Sequence, residues 1–156
     1  MSRAAGWFGL AAALVLADQL VKWLVLASFR PYERLEVAPF LNLVLVFNKG
    51  AAFSFLAQEG GWQRPALIAF ALVAAAILAV LIVRNREKPV LCSGLALILG
   101  GALGNVIDRI RFGYVVDFVD VHAMGWHWPA FNVADSAISI GAGILIFDSF
   151  FPRVRK

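Results

Sequence analysis

Charge is scarce in this chain. Only 15% of its 156 residues are Asp, Glu, Lys or Arg, where a soluble domain carries about 25%. Cysteine is nearly absent, and the single Cys92 excludes an intrachain disulfide and any paired-cysteine metal site. The two histidines, His122 and His127, stand five apart in a loop-like stretch. Without further ligands that is a poor zinc constellation, so no metal site is expected. Long linkers, low-complexity runs and internal repeats are also missing. What remains is apolar: 62% of the chain is hydrophobic, against about 45–50% in soluble proteins. A small soluble domain buries only about 60–70% of its unfolded surface, too little to hide that excess. An ordinary soluble globule, a disordered tail and a disulfide mini-protein are all excluded. The net charge of +4 then reports orientation in a membrane rather than a nucleic-acid partner.

A bilayer core needs about 20 mostly apolar residues per helix. Four segments qualify, at about 4–29, 66–83, 90–110 and 131–151. The first has a rival reading as a cleaved secretory leader ending near Val15-Leu16-Ala17. Its apolar character resumes from Trp23 to Phe29, which a leader has no use for. If the N-terminus is inside, the inner pieces 1–6, 84–89 and 152–156 hold seven basic residues in 17 positions, and the outer pieces 30–64 and 111–130 hold five in 55. That bias places both termini in the cytoplasm. The chain reads as a single membrane domain, 1–156, all-α in its spanning part.

The outer pieces are not simple loops. Leu41 to Phe47 is rich in Val, Leu and Phe but too short to span. Asn48-Lys49-Gly50 follows as a turn signal, and a second apolar run continues from Ala51 to Leu56. Two such runs around an Asn/Gly turn predict a small hairpin-like sheet over about 35–58, with Pro39 at an edge. Its outer residues are apolar, so it is expected to lie on the membrane surface. Trp62, Trp126 and Trp128 read as interfacial anchors. In the third segment, Gly100, Gly101 and Gly104 form a small-residue stripe, continued by Ala137 and Gly141 in the fourth. Small residues let spanning helices approach closely, and Gly101 could also clear room for a substrate.

Ionisable groups inside a bilayer are costly and usually functional. At about 1.5 Å per residue, Asp18 lies about 21 Å up the first segment, with Lys22 about 6 Å higher on the same face. Asn105 and Arg109 lie about 22 and 28 Å up the third. Asp108 sits beside them, and Asn132 and Asp135 stand at the outer start of the fourth. These groups converge in the outer third of the membrane. Asp18 with Lys22 reads as a neutralising structural pair, and Asp108 with Arg109 as a pair that neutralises and snorkels at a helix end. Asp135 could be a first-turn acid of a helix capped by Asn132. Asp117, flanked by Val115, Val116, Phe118 and Val119, is expected to turn back toward the membrane, and a short connection can bring it to Asp135. Two carboxylates within about 3 Å cannot both ionise, so they share a proton. The ionised member can take a proton from water and the protonated one can polarise a peptide carbonyl. That chemistry requires neither metal nor cofactor.

Taken together, these residues resemble the lipoprotein signal peptidases (signal peptidase II), bacterial aspartic peptidases of the inner membrane. The likeness rests on Gly-Tyr-Val-Val-Asp-Phe around Asp117 and Phe-Asn-Val-Ala-Asp-Ser around Asp135. It extends to Ala17-Asp18-Gln19 with Lys22, to Asn48-Lys49-Gly50-Ala51-Ala52-Phe53-Ser54, and to Gly101-Ala102-Leu103-Gly104-Asn105 before Asp108-Arg109. The resemblance implies four transmembrane helices with a small extracytoplasmic β-cradle. It implies cleavage of the signal peptide of a diacylglyceryl-modified prolipoprotein just before the lipidated cysteine. It makes Asp117 and Asp135 the catalytic dyad, with Asn48, Gly101, Asn105, Arg109 and Asn132 lining or ordering the site. A lipid-modified prolipoprotein is the implied substrate, membrane lipids are the surroundings, globomycin-type cyclic peptides are the inhibitors, and the chain is expected to act as a monomer.

Two other classes are open to the residues alone. A small transporter or ion-coupled membrane subunit could use intramembrane acids to bind an ion, but such sites lie at the midplane between inverted repeats. A structural adaptor would leave the pairing of Asp117 with Asp135 unexplained.

Overall fold

A computed structural model describes residues 3–50 and 62–150. Among the described residues, four helices are long and apolar enough to cross a membrane: α1 (Arg3–Ser28), α2 (Gln63–Arg84), α3 (Pro89–Arg111) and α4 (Val133–Phe150). Each matches an expected segment to within a few residues. Few of their side chains are buried except in α3, the central helix, which packs against each of the other three. Large apolar residues such as Leu16, Phe70, Val73 and Phe147 point outward, as helices in a hydrocarbon solvent should.

The glycines of α3 explain why it can be central. A Cβ on Gly100 would lie 2.8 Å from the Ala11 carbonyl oxygen of α1, and one on Gly104 would lie 2.7 Å from an Asp18 oxygen. A Cβ on Gly101 would come within 2.4 Å of the Ala134 carbonyl oxygen of α4, and one on Gly94 within 2.9 Å of that of Gly141. One glycine pair thus admits α1 and the other admits α4, which is close small-residue packing on two faces of one helix.

Helix α3 begins at a proline, which costs no hydrogen bond at a first helical position. At its far end Gly113 adopts φ +84°, and its N–H donates to the Arg109 carbonyl at 3.1 Å. Arg64 of α2 satisfies two of the last carbonyls, donating from Nε to Arg109 at 2.9 Å and from Nη2 to Ile110 at 3.0 Å.

Above this end lies an antiparallel sheet of β1 (Arg34–Ala38), β2 (Leu41–Asn48), β3 (Val115–Ala123) and β4 (Trp126–His127), in that order. Val25, Leu45, Val116 and Phe118 form the core that joins the sheet to α1. The sheet differs from the expected 35–58 hairpin. The second run of that hairpin, Ala51 to Leu56, and the motif residues Phe53 and Ser54 lie outside the described residues. Within them, β2 pairs with β1 across Pro39–Phe40 and with β3 from the distant second outer segment. Strands β3 and β4 turn through Met124 and Gly125, both at positive φ, the backbone of a two-residue hairpin.

Candidate active site

The β2–β3 register decides what faces Asp117. Leu43 pairs with Val119, but the next pair is Val46 with Asp117, so β2 carries one extra residue between them. The bulge lets Val44 and Leu45, adjacent in sequence, both turn inward. Without it, every later side chain of β2 would sit on the opposite face. With it, Asn48 stands diagonal to Asp117 on one face, and its Nδ2 donates to Asp117 Oδ2 at 3.1 Å.

Asp135 arrives by a different route. The chain before α4 is pulled onto β3: Phe118 and Val119 donate to the Phe131 carbonyl, and Phe131 donates back to Val119. Asn132 is therefore delivered to Asp117 just where α4 begins. Its Oδ1 accepts the Asp135 N–H at 3.0 Å, and Asp135 Oδ2 accepts the Asn132 N–H at 3.2 Å. This reciprocal pair is a capping box with Asn and Asp in its two roles. The first-turn reading of Asp135 is therefore correct, but it does not exclude a second role. Asn132 Nδ2 also donates to Asp117 Oδ1 at 2.7 Å, so one asparagine touches both carboxylates.

Burial of Asp117, then the nearby charge of Asp135, push its carboxyl from the ordinary carboxylate range up to about 7, although Asn48 and Asn132 favour its ionised form. At neutral pH this carboxyl is therefore poised between its two states.

Beneath the two acids lies a buried polar network. The Lys22 ammonium reaches Asp18 at 2.9 Å, Asp108 at 2.8 Å and the Asn105 side-chain oxygen at 3.0 Å. Asn105 in turn donates to Asp135 at 2.8 Å. Asp18 accepts the Ala134 N–H at the start of α4, where helix dipole and free amides favour an anion. Asp108 accepts the Val116 N–H of β3 and a hydrogen bond from Gln19. The expected Asp108–Arg109 pair is not what forms. Adjacent residues on a helix face different ways, so Asp108 turns to Lys22 while Arg109 donates to the Gly50 carbonyl at 2.8 Å.

Arg109, Asn105 and Asp135 also line a cavity of about 700 Å³. Its walls are apolar side chains of α2, α3 and α4, among them Phe70, Ala102 and Ile138. The Arg109 Nε is buried with no partner among the described residues. Gly101 lies away from the cavity, its open side filled by Ala134 and Ile138.

Of the residues singled out from sequence, Asp18, Lys22, Asn48, Asn105, Asn132, Asp117 and Asp135 form one connected cluster. Arg109 flanks it and Gly101 sets the α3–α4 approach. The sequence reading missed Arg64, whose capping of α3 is a long-range contact without a local signal. It also missed Asp120, which is buried and bonded to Asn42 at 2.9 Å and His127 at 2.8 Å. The three-residue spacing from Asp117 puts Asp120 on the other face of β3. Trp62, Trp126 and Trp128 are all exposed, as anchors would be.

Known proteins resemble this chain over nearly its whole length. A family model described as signal peptidase (SPase) II matches residues 10–151. A lipoprotein signal peptidase of Paraburkholderia phymatum is 54% identical over 151 residues, 97% of this chain and 90% of that protein. Another from a Janthinobacterium species is 54% identical, covering 96% and 90%. A solved structure described as a bacterial membrane enzyme at 2.3 Å superposes with a TM-score of 0.84 at 28% identity, covering 97% of this chain and 94% of the other.

Proposed function

The chain belongs to the signal peptidase II family, and from that premise we propose that Asp117 and Asp135 are its catalytic pair. It is a multi-pass bacterial membrane protein and an aspartic peptidase that removes the signal peptide from prolipoproteins. Its substrate is a lipoprotein precursor, cleaved just before the cysteine that carries diacylglyceryl.

The single observation that carries the residue assignment is Asn132, bonded to both carboxylates at once. The pair holds one proton near neutral pH. Asp117, pushed up to about 7, is the member that carries it. Asp135 is the base that deprotonates the attacking water, and protonated Asp117 donates to the scissile carbonyl oxygen as it gains charge. When the tetrahedral intermediate collapses, the leaving amine takes a proton from the pair. Asn105 and Asn132 fix the two carboxyl groups, Asn48 holds Asp117, and the Arg109 Nε, without a partner among the described residues, offers a donor to a substrate oxygen.

Both termini lie in the cytoplasm, and the sheet lies at the outer face of the inner membrane, with the site beneath it. The 1–156 chain acts as one membrane domain and as a monomer. The diacylglyceryl chains stay in lipid, so the scissile bond lies near the outer interface, at the depth of the polar cluster. Lipid and signal helix reach the 700 Å³ cavity laterally between helices, and globomycin-type cyclic peptides occupy the same space.

Asp117→Asn and Asp135→Asn, each assayed on a diacylglyceryl-modified precursor in detergent, should lose about 10²–10⁴-fold in cleavage rate. Thermal melting should show that both variants are folded. Undiminished cleavage by either variant overturns the dyad.

A further inference from the structure

At the end of the bundle opposite the carboxylates, α1 begins beside the turn joining α2 to α3. Pro89 lies 16 residues before Asn105 on α3, or about 24 Å along the helix. A second cavity, of about 430 Å³, opens there. Its mouth is charged: Arg3 and Arg86 flank it, Glu87 pairs with Arg3 and lies 3.7 Å from the Arg86 guanidinium. Its interior is apolar, lined by Trp7 and, one turn deeper along α1, Leu10. The Trp7 indole N–H donates to the Arg86 carbonyl at 3.3 Å, which fixes the turn against α1.

Gly6 also lines the cavity, and a Cβ placed there would meet nothing within 4 Å. The glycine is therefore not needed for helix packing, unlike those of α3. It leaves a groove open below two guanidinium groups. Two cations against one anion leave the mouth positive, and Arg84 at the end of α2 and Lys88 just before α3 add to the excess. Glu87 is already engaged by both arginines, so it is not free to hold a ligand amine.

We propose that this cavity binds one anionic phospholipid. The phosphodiester sits between Arg3 and Arg86, which present the planar donors that match phosphate oxygens. The start of an acyl chain runs past Gly6 and Leu10, with Trp7 at the boundary between headgroup and hydrocarbon. Basic pockets between spanning helices recognise anionic headgroups in this way. The site is independent of the peptidase reaction and anchors the first helix to its leaflet.

The test is native mass spectrometry of the full chain, titrated with phosphatidylglycerol and phosphatidylethanolamine of identical acyl chains. The chain should hold one phosphatidylglycerol about fivefold or more tightly than phosphatidylethanolamine. Arg3→Gln with Arg86→Gln should abolish that preference. Gly6→Phe should abolish it too, by filling the groove without altering charge. Glu87→Gln should strengthen it, a gain that a misfolded protein cannot produce. Glycerol phosphate in excess should leave the lipid in place. Precursor cleavage in detergent should stay within about twofold in all three variants, since even Asn105, which holds Asp135, lies about 24 Å along α3 from this end. Equal binding of the two lipids, a preference that survives both loss variants, weaker binding in Glu87→Gln, or displacement by glycerol phosphate would each overturn the proposal.

Discussion

Asn48 reaches Asp117 only through a bulged strand, and its contribution has a sign that can be measured. Its amide donates to the carboxylate and so favours the ionised form. The raised value of about 7 for Asp117 places the alkaline limb of kcat/KM there, because activity is lost when the pair gives up its last proton. Asn48→Ala removes a donor to the charged state. The limb should therefore move to higher pH, by roughly half to one pH unit, along with a lower maximum. A pH profile of kcat/KM for the two proteins checks this, and a limb that stays put or moves down contradicts the proposed role. At this scale much of the site was legible. Scarce charge made each intramembrane acid and amide conspicuous, and helical rise placed them at one depth. Pairings were less legible. Asp108 choosing Lys22 over Arg109 follows from which way a side chain leaves its helix, and sequence adjacency hides that.

Among the elements, the helices were readable and the sheet only half so. Long uncharged runs announce spans because a bilayer tolerates little else. Strand β3 gave no clean alternation, since Val115 through Phe118 are all buried, and its pairing with β2 spans about half the chain. The glycine stripe was read correctly as packing, but sequence could not say which glycine meets which helix. The geometry now separates them. A Cβ on Gly101 would strike the Ala134 backbone oxygen at 2.4 Å and Ile138 at 2.8 Å, so Gly101→Ala must push α4 away. That should cost about 1–3 kcal/mol and lower both thermal midpoint and cleavage, because Asn132 and Asp135 ride on the displaced helix. Gly9→Ala is the control. Nothing lies within 4 Å of its Cβ, so its midpoint should hold or rise slightly, as alanine is the better helix former. Melting curves in detergent distinguish the two, and equal effects would refute the close-approach account.

For the molecule as a whole, one ammonium joins the parts that must meet. Lys22 of α1 contacts Asp18 on its own helix and Asp108 and Asn105 on α3. Through Asp18 it bears on the first turn of α4, and through Asp108 on β3. The elements that carry Asp117 and Asp135 are therefore fixed relative to each other only when α1, α3, α4 and the sheet have all settled on this cluster. The arrangement is also a liability. Two buried carboxylates depend on one cation, and removing one partner of such a group costs about 3–5 kcal/mol because it strands the others. Lys22→Met should accordingly lower the thermal midpoint severely and abolish precursor cleavage. Asp18→Asn with Asp108→Asn, added to Lys22→Met, should recover much of the midpoint. No uncompensated charge is then left inside, and each asparagine oxygen can still accept its backbone N–H. Cleavage should stay low in the triple variant, since Asn105 no longer has the ammonium that orients its amide toward Asp135. A midpoint unaffected by Lys22→Met, or a triple variant no more stable than the single, would show that the charges are not what holds the four elements together.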